Sequence, residues 1–206
     1  MSEATTTRLE RFAVVETVFD VQQTQVLEVA ALIYDREGNR LASWETLVRP
    51  LVYMSTKNLK RTLDITHSEM LRAPFAYDAG PLYRCFLAEW KVQLATSFNV
   101  RTTFSTQQLD DTYWHHPPMF VNNGIAGYLN LRHGIHANLA EHVPPRATAM
   151  ERALYSADAL LKQDKFSPYP LFLNHCDQYL QSRLSRPKLP TFTRQDLAAL
   201  RAGGAR

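Results

Sequence analysis

The sequence predicts an α/β fold in which a mixed sheet is flanked by helices. Three apolar, branched runs joined by short connections occupy residues 11–48, which is typical of antiparallel strands. Several later segments have apolar residues at three- and four-residue steps, which indicates helices. At 206 residues, the chain has room for one domain with a sizeable core and a short appendage.

The three opening strands are predicted at residues 11–18 (RFAVVETV), 26–34 (VLEVAALIY) and 41–48. A turn signal at residues 35–39 (DREGN) separates the second strand from the third. A further strand is predicted at residues 92–97, and we expect it to add to the sheet in parallel.

The helices follow the opening strands. Thr66 with Glu69 three residues later forms a capping-box signature, which predicts a short helix carrying Met70, Leu71 and Phe75. Further helices are expected at residues 82–90, 104–113 and 173–184. The clearest helical pattern follows Pro145, with apolar residues at Ala147, Met150, Leu154, Ala157 and Leu161.

These elements suggest three parts: a tail at residues 1–10, the main domain at 11–164 and an extension at 165–206. No run is apolar enough for a membrane span, and two cysteines are too few for a disulfide framework, so we expect a cytoplasmic protein without a membrane partner. The net charge is +3. Residues 183–206 contain six basic residues and one acid, a balance that favours contact with phosphate.

Three successive pieces resemble the start of a proofreading-type 3′-5′ exonuclease of the DEDDh (DnaQ-like) class. FAVVETVFD with VLEVAAL resembles the opening Asp-x-Glu strand and its partner, LVRP resembles the end of the third strand, and LDITHSEMLRAPF resembles the following helix start. ERALYSADALL resembles the last helix, where the pattern His-x-Ala-x-x-Asp is expected. The resemblance implies a ribonuclease-H-like fold.

The same resemblance implies that the catalytic carboxylates are degenerate. Chemistry of this class uses carboxylates that hold two Mg²⁺ ions. Here Glu16 falls on the Asp of Asp-x-Glu, Val18 on its Glu, Glu151 on the general-base His and Ser156 on the final acid. We therefore expect no catalytic residues, no metal site and no cofactor, with Mg²⁺ required only if displaced acids rebuild the site. The candidates for such a rebuilt site are Asp20, Glu28, Asp110, Asp111 and Glu151.

The position of the second family acid has two possible matches. ATSFNVR places Arg101 there, 85 residues after Glu16 and 55 before Ser156, which resembles the family layout. VNNGIAG places Gly127 there instead, with spacings of 111 and 29 residues. We prefer Arg101, and neither residue offers a carboxylate.

The first hypothesis is a catalytically inactive exonuclease-like subunit that binds DNA, RNA or a protein complex acting on nucleic acid. An arginine in place of an acid would repel a metal ion and attract phosphate. The residues expected to contact nucleic acid are Arg101, Arg183, Arg186, Lys188 and Arg194. One alternative is a protein-docking module that uses residues 165–206 without nucleic acid, and another is an active Mg²⁺-dependent nuclease with a rearranged site.

Overall fold

A computed structural model describes residues 8–20, 22, 24–98, 103–104, 114, 144, 146–161 and 169–184. Within this part of the chain a four-stranded sheet has the order β3-β2-β1-β4. The strands are β1 (Arg11–Phe19), β2 (Val26–Asp35), β3 (Arg40–Leu47) and β4 (Leu94–Thr96). The first three pair antiparallel and β4 runs parallel to β1, which confirms the predicted mixed sheet.

Five helices accompany these strands in the described residues. Their bounds are α1 (Thr56–Thr62), α2 (His67–Arg72), α3 (Ala76–Glu89), α4 (Ala149–Leu161) and α5 (Tyr169–Leu184). The helix predicted at residues 104–113 lies outside the described residues, except for Phe104, which is buried. None of the described helices is long and apolar enough to cross a membrane.

Both faces of β1 and β2 are buried, which explains their nearly continuous apolar sequences. Even-numbered residues such as Phe12, Val14 and Ala30 pack with α1, α2, α4 and α5, whereas odd-numbered residues such as Val15 and Val29 pack with α3. Two apolar clusters therefore lie on opposite sides of one sheet, because side chains alternate along a strand. Glu16 belongs to the even-numbered face, which α4 covers.

Helix α1 was not predicted, because the sequence offers only one buried apolar residue in it, Leu59. The helix begins where the Ser55 side chain accepts a hydrogen bond from the backbone N–H of Asn58. The capping box that starts α2 is confirmed: Thr66 and Glu69 exchange side-chain to backbone hydrogen bonds. Helix α2 ends before Phe75, which instead precedes α3 as its N-cap residue.

Helix α4 is confirmed, but its buried face differs in part from the predicted one. Leu154 was expected on the apolar stripe and is 40% exposed, and Met150 is only partly buried. The fully buried side of the helix comprises Ala149, Ala153, Ala157 and Leu160. These small alanine side chains let the backbone of α4 lie close to β1 and β2. Polar side chains on the same side of α4 can therefore reach the sheet.

Helix α5 is fixed to the sheet by an ion pair and by aromatic packing. Arg36, in the β2–β3 turn, forms a two-pronged ion pair with Asp177 at 2.8 and 3.0 Å, and Asp177 also accepts the Leu9 backbone N–H at 2.7 Å. Phe172 and Cys176 are completely buried in the cluster that contains Phe12. Residues 169–184 thus pack into the same core as the main sheet, although they fall in the predicted extension.

Candidate functional site

Two positions that the sequence aligns with family carboxylates are in direct contact. Glu16 lies on β1 and Ser156 on α4, and the Ser156 hydroxyl donates a hydrogen bond of 2.7 Å to Glu16 Oε1. Glu16 points toward α4 because it shares the even-numbered face of β1 with Val14 and Val18. Ser156 follows Ala153 by three residues, so both lie on the side of α4 that meets the sheet.

The segment after β4 supplies two further donors to the same oxygen. Ser97 Oγ lies 3.1 Å from Glu16 Oε1, and the Phe98 backbone N–H donates to it at 2.8 Å. These donors reach Glu16 because β4 runs parallel to β1, with Thr96 opposite Val14. The Ser97 hydroxyl also shares a 2.7 Å hydrogen bond with the Thr103 hydroxyl. We call Glu16, Ser97, Phe98, Thr103 and Ser156 the Glu16 cluster.

Burial dominates the electrostatics of the Glu16 cluster. It raises the pKa of Glu16 above its usual value, and the hydrogen bonds from Phe98, Ser156 and Ser97 offset that rise only in part. All three hydrogen bonds end on Oε1, so a proton on Oε2 would break none of them. The cluster is therefore compatible with a protonated carboxyl at Glu16.

The second position of the Asp-x-Glu motif is part of the apolar core. Val18 is 4% exposed, and it pairs across the strands with Glu28. Glu28 is also buried, and its Oε2 accepts the backbone N–H of Ala149 at 2.8 Å. Burial raises the pKa of Glu28, with partial compensation from this N–H. Glu28 thus caps the first turn of α4 from the neighbouring strand, where the orphan N–H groups of a helix need acceptors.

Two further described acids, Glu151 and Asp20, also accept hydrogen bonds. Glu151, aligned with the general-base histidine, accepts hydrogen bonds from the Thr148 backbone N–H at 2.8 Å and from its hydroxyl at 3.2 Å. Glu151 N–H donates back to Thr148 Oγ1 at 3.1 Å, which completes a capping box at the start of α4. Asp20 accepts from Thr24 and Gln25 and closes the β1–β2 turn.

These contacts test whether the described residues fit a two-metal centre, and they do not. Glu16 Oε1 is surrounded by three donors, Val18 has no oxygen, and Ser156 uses its proton toward Glu16. Within the described ranges, no group of three or more His, Cys, Asp or Glu residues could hold a metal ion. A pair of divalent ions needs several carboxylates grouped together, and the described residues contain no such group.

Several residues singled out by the sequence cannot be placed in this site. Arg183 is exposed on α5, with its guanidinium 5.8 Å from the centre of the Tyr179 ring. The other candidates lie outside the described residues: Arg101, Asp110, Asp111, Gly127, Arg186, Lys188 and Arg194. The sequence-based reasoning missed Ser97, the Phe98 amide and Thr103, although ATSFNVR, the segment matched to the second acid motif, contains the first two.

The fold of this chain is identified by comparison with known proteins. No protein-family model matches the sequence, and no curated protein matches it. The structure resembles a full-length 3′-exonuclease with a TM-score of 0.55 at 9% identity, covering 85% of this chain and 84% of that one. It also resembles a 3′-exonuclease described in 3′-end-specific recognition of a histone mRNA stem-loop, with a TM-score of 0.52 at 8% identity and coverages of 85% and 84%.

A third similar structure is the metal-free form of the E. coli exonuclease I complex with single-stranded DNA. Its TM-score is 0.58 at 12% identity, and the match covers 86% of this chain but only 44% of exonuclease I. At these identities the likeness establishes the fold alone. Together with the β3-β2-β1-β4 mixed sheet, it shows that the chain has the ribonuclease-H-like fold of the DnaQ-like 3′-5′ exonucleases.

Proposed function

We propose that this protein is a catalytically inactive exonuclease-like subunit that binds nucleic acid, alone or within a nucleoprotein complex. The observation that carries the proposal is the Glu16 cluster, in which two hydroxyls and one backbone N–H converge on the acid aligned with the first metal ligand. Hydrogen-bond donors occupy Oε1 of that buried carboxyl, whereas the family chemistry needs cations in that place.

The fold supports the nucleic-acid part of the proposal. Similar structures include exonuclease I bound to single-stranded DNA and a 3′-exonuclease that recognises the 3′ end of a histone mRNA stem-loop. Loss of a few metal-binding side chains leaves the apolar framework of such a domain intact, because strand and helix formation depend on other residues. A groove shaped for a strand can therefore remain after the chemistry is lost.

The basic residues supply the second line of support. The segment from residue 183 onward has six Lys or Arg residues and one acid, and Arg183 is exposed on α5. Cations placed along a strand displace counterions from its phosphates, which makes binding favourable at low salt and weak at high salt. Arg101, three residues after Phe98 in the sequence, is a further candidate for contact with phosphate.

The test is the binding of labelled single-stranded DNA and RNA over a series of salt concentrations. We expect affinity to fall steeply with salt, and the slope of log affinity against log salt to shrink by about 0.7 for each phosphate-contacting cation removed. The variants are Arg101→Gln and a combined Arg186→Gln, Lys188→Gln and Arg194→Gln. Lys91→Gln is the charge control, because Lys91 is exposed at the end of α3 on the other side of the sheet.

Absence of binding at low salt would reject the nucleic-acid proposal and favour the protein-docking alternative. Binding that hardly changes with salt would also contradict it, because an apolar surface rather than phosphate would then carry the affinity.

A further inference from the structure

A cavity of about 230 Å³ lies beyond the end of β3, apart from the Glu16 cluster. It opens between the segment that follows β3 and helix α2, and it contains none of the aligned catalytic positions. Its walls are mostly apolar or aromatic, with one cation and one imidazole. The lining residues include Arg49, Tyr53, His67, Met70, Leu71 and Phe75.

Hydrogen bonds join the cavity wall to the residue before β2 and to the connection between α2 and α3. Arg49 N–H donates to the Pro74 carbonyl at 2.7 Å, and Val52 N–H donates to the Gln25 side chain at 2.9 Å. The Arg49 guanidinium lies 4.7 Å from the centre of the Phe75 ring and donates to the Leu71 carbonyl. The cavity is therefore preformed, which lowers the entropic cost of filling it.

Two side chains at the cavity offer specific contacts to a planar ligand. Tyr53 is 76% exposed, although an aromatic side chain gains free energy from burial, and its ring lies 5.4 Å from the His67 ring at a tilt of 60°. The half-buried His67 side chain also lines the cavity. An aromatic platform beside an imidazole can stack a ring and bind its edge.

The surroundings of the cavity are basic. Residues 49–75 contain five Lys or Arg residues and two acids, a net charge of +3 that equals the net charge of the whole chain. One of the acids, Glu69, is held in the capping box with Thr66. The exposed cations Lys57, Lys60 and Arg61 lie on α1, the helix whose Leu59 lines the cavity. This charge attracts a polyanion.

We propose that the cavity takes up one unpaired base of a single-stranded nucleic acid, stacked on Tyr53 and hydrogen-bonded to His67. The phosphates on either side of that base contact Arg49 and the cations of α1. This proposal rests on the proposed function, because it names the place where a bound strand contacts the protein. The volume is below the roughly 300–1,000 Å³ of sites for drug-sized ligands, so a single base fits better than a larger ligand.

Single-stranded nucleic acid suits the observations better than a peptide does. Aromatic platforms combined with a cationic rim are the features by which single strands are bound without strict sequence preference. A purely apolar peptide would gain nothing from the basic rim.

The test uses oligonucleotides that carry the fluorescent base 2-aminopurine, together with matched oligonucleotides that lack bases at several consecutive positions. We expect quenching of the 2-aminopurine emission on binding and weaker binding of the abasic strands. Tyr53→Ala should lower the affinity for single strands by about 5- to 150-fold, the range that base-aromatic stacking supplies. Tyr53→Phe and the surface control Leu82→Ala on α3 should stay within about two-fold of the wild type.

Several outcomes separate this inference from the proposed function. Unchanged affinity in Tyr53→Ala, or equal binding of abasic strands, would overturn the base pocket while leaving nucleic-acid binding intact. No binding of any strand by the wild type would overturn both. Binding of an acidic, phenylalanine-containing peptide that depends on Tyr53, with no binding of strands, would show that the occupant is a protein. Melting temperatures of the variants verify that they are folded.

Discussion

The Ser156 hydroxyl of α4 donates a 2.7 Å hydrogen bond to the Glu16 carboxyl of β1, across 140 residues of sequence. Both residues stand at positions that the sequence aligns with metal-binding acids. This direct hydrogen bond joins α4 to the sheet, and we expect the contacts around it to contribute to stability.

Replacing Ser156 with alanine should destabilise the protein. The change removes one of three donors from a buried carboxyl, and we expect the free energy of unfolding to fall by about 1–3 kcal/mol. Denaturation by urea measures it. Ser182→Ala is the matched control, since Ser182 is exposed on α5 and bonds only locally to the Tyr179 carbonyl in the described residues, and it should change the stability little. An equal effect in both variants would contradict the importance of the Glu16 contact.

Replacing Glu16 with glutamine should benefit the stability of the protein more at neutral pH than in acid. Burial raises the pKa of Glu16 in the folded state, so its favourable contribution is fully present below its ordinary pKa of 4.5 and is lost as pH rises through the folded value. Glutamine keeps an oxygen for all three donors and carries no charge. The melting temperature of Glu16→Gln minus that of the wild type should therefore rise with pH above 4.5, and a flat difference would count against a buried, titrating Glu16.

Truncating Glu28 should loosen the start of α4. Glu28→Ala leaves the buried Ala149 N–H without its acceptor, and loss of a helix cap costs about 0.5–2 kcal/mol. Glu28→Gln keeps an acceptor and should retain most of the stability. Hydrogen exchange at the Ala149 amide reports the cap directly, and unchanged protection in Glu28→Ala would show that the contact is dispensable.

Removing Asp177 should release α5 from the sheet. Although burial alone would raise its pKa, hydrogen bonds from Arg36 and the Leu9 N–H hold the pKa of Asp177 below its ordinary value of 3.8. We expect Asp177→Ala to cost about 1–2 kcal/mol near neutral pH, because the Arg36 and Leu9 donors lose their partner.

The cost of Asp177→Ala should disappear in acid. Because the pKa of Asp177 is lower in the folded protein than its ordinary value, the carboxylate stabilises the fold above that ordinary pKa, and this stabilisation is lost as the pH falls through the folded-state pKa. Asp158→Ala, on the exposed side of α4, is the control. Faster hydrogen exchange throughout α5 in Asp177→Ala alone is the expected result, and equal exchange in both variants would contradict it.

Much of the fold follows from sequence patterns. The branched, apolar runs of β1 and β2 predict strands buried on both faces, and Thr66 with Glu69 predicts the start of α2. Helix α1 has no such signature, because a helix of seven residues with one buried side chain leaves no periodicity to detect. Leu154 was misplaced because alanines, rather than the larger residues, form the close contact with the sheet.

Two members of the Glu16 cluster, Glu16 and Ser156, were predictable from the sequence, but the other three and the hydrogen bonds were not. The resemblance to exonucleases marks Glu16, Val18, Glu151 and Ser156, and the first and last of these do meet. Ser97 and Thr103 join them only because β4 is parallel to β1, a long-range pairing that local patterns do not encode. Whether Glu151 caps a helix or acts as a base is likewise decided by Thr148, its neighbour at the start of α4.

The most direct test of catalytic inactivity is degradation of 3′-labelled single-stranded DNA and RNA in Mg²⁺ or Mn²⁺, with the bound and cleaved fractions read together. The expected result is binding without cleavage by the wild type. Cleavage by the wild type that vanishes in Glu16→Ala would contradict it, because acids would then have to hold metal ions around the carboxyl that now receives three hydrogen bonds.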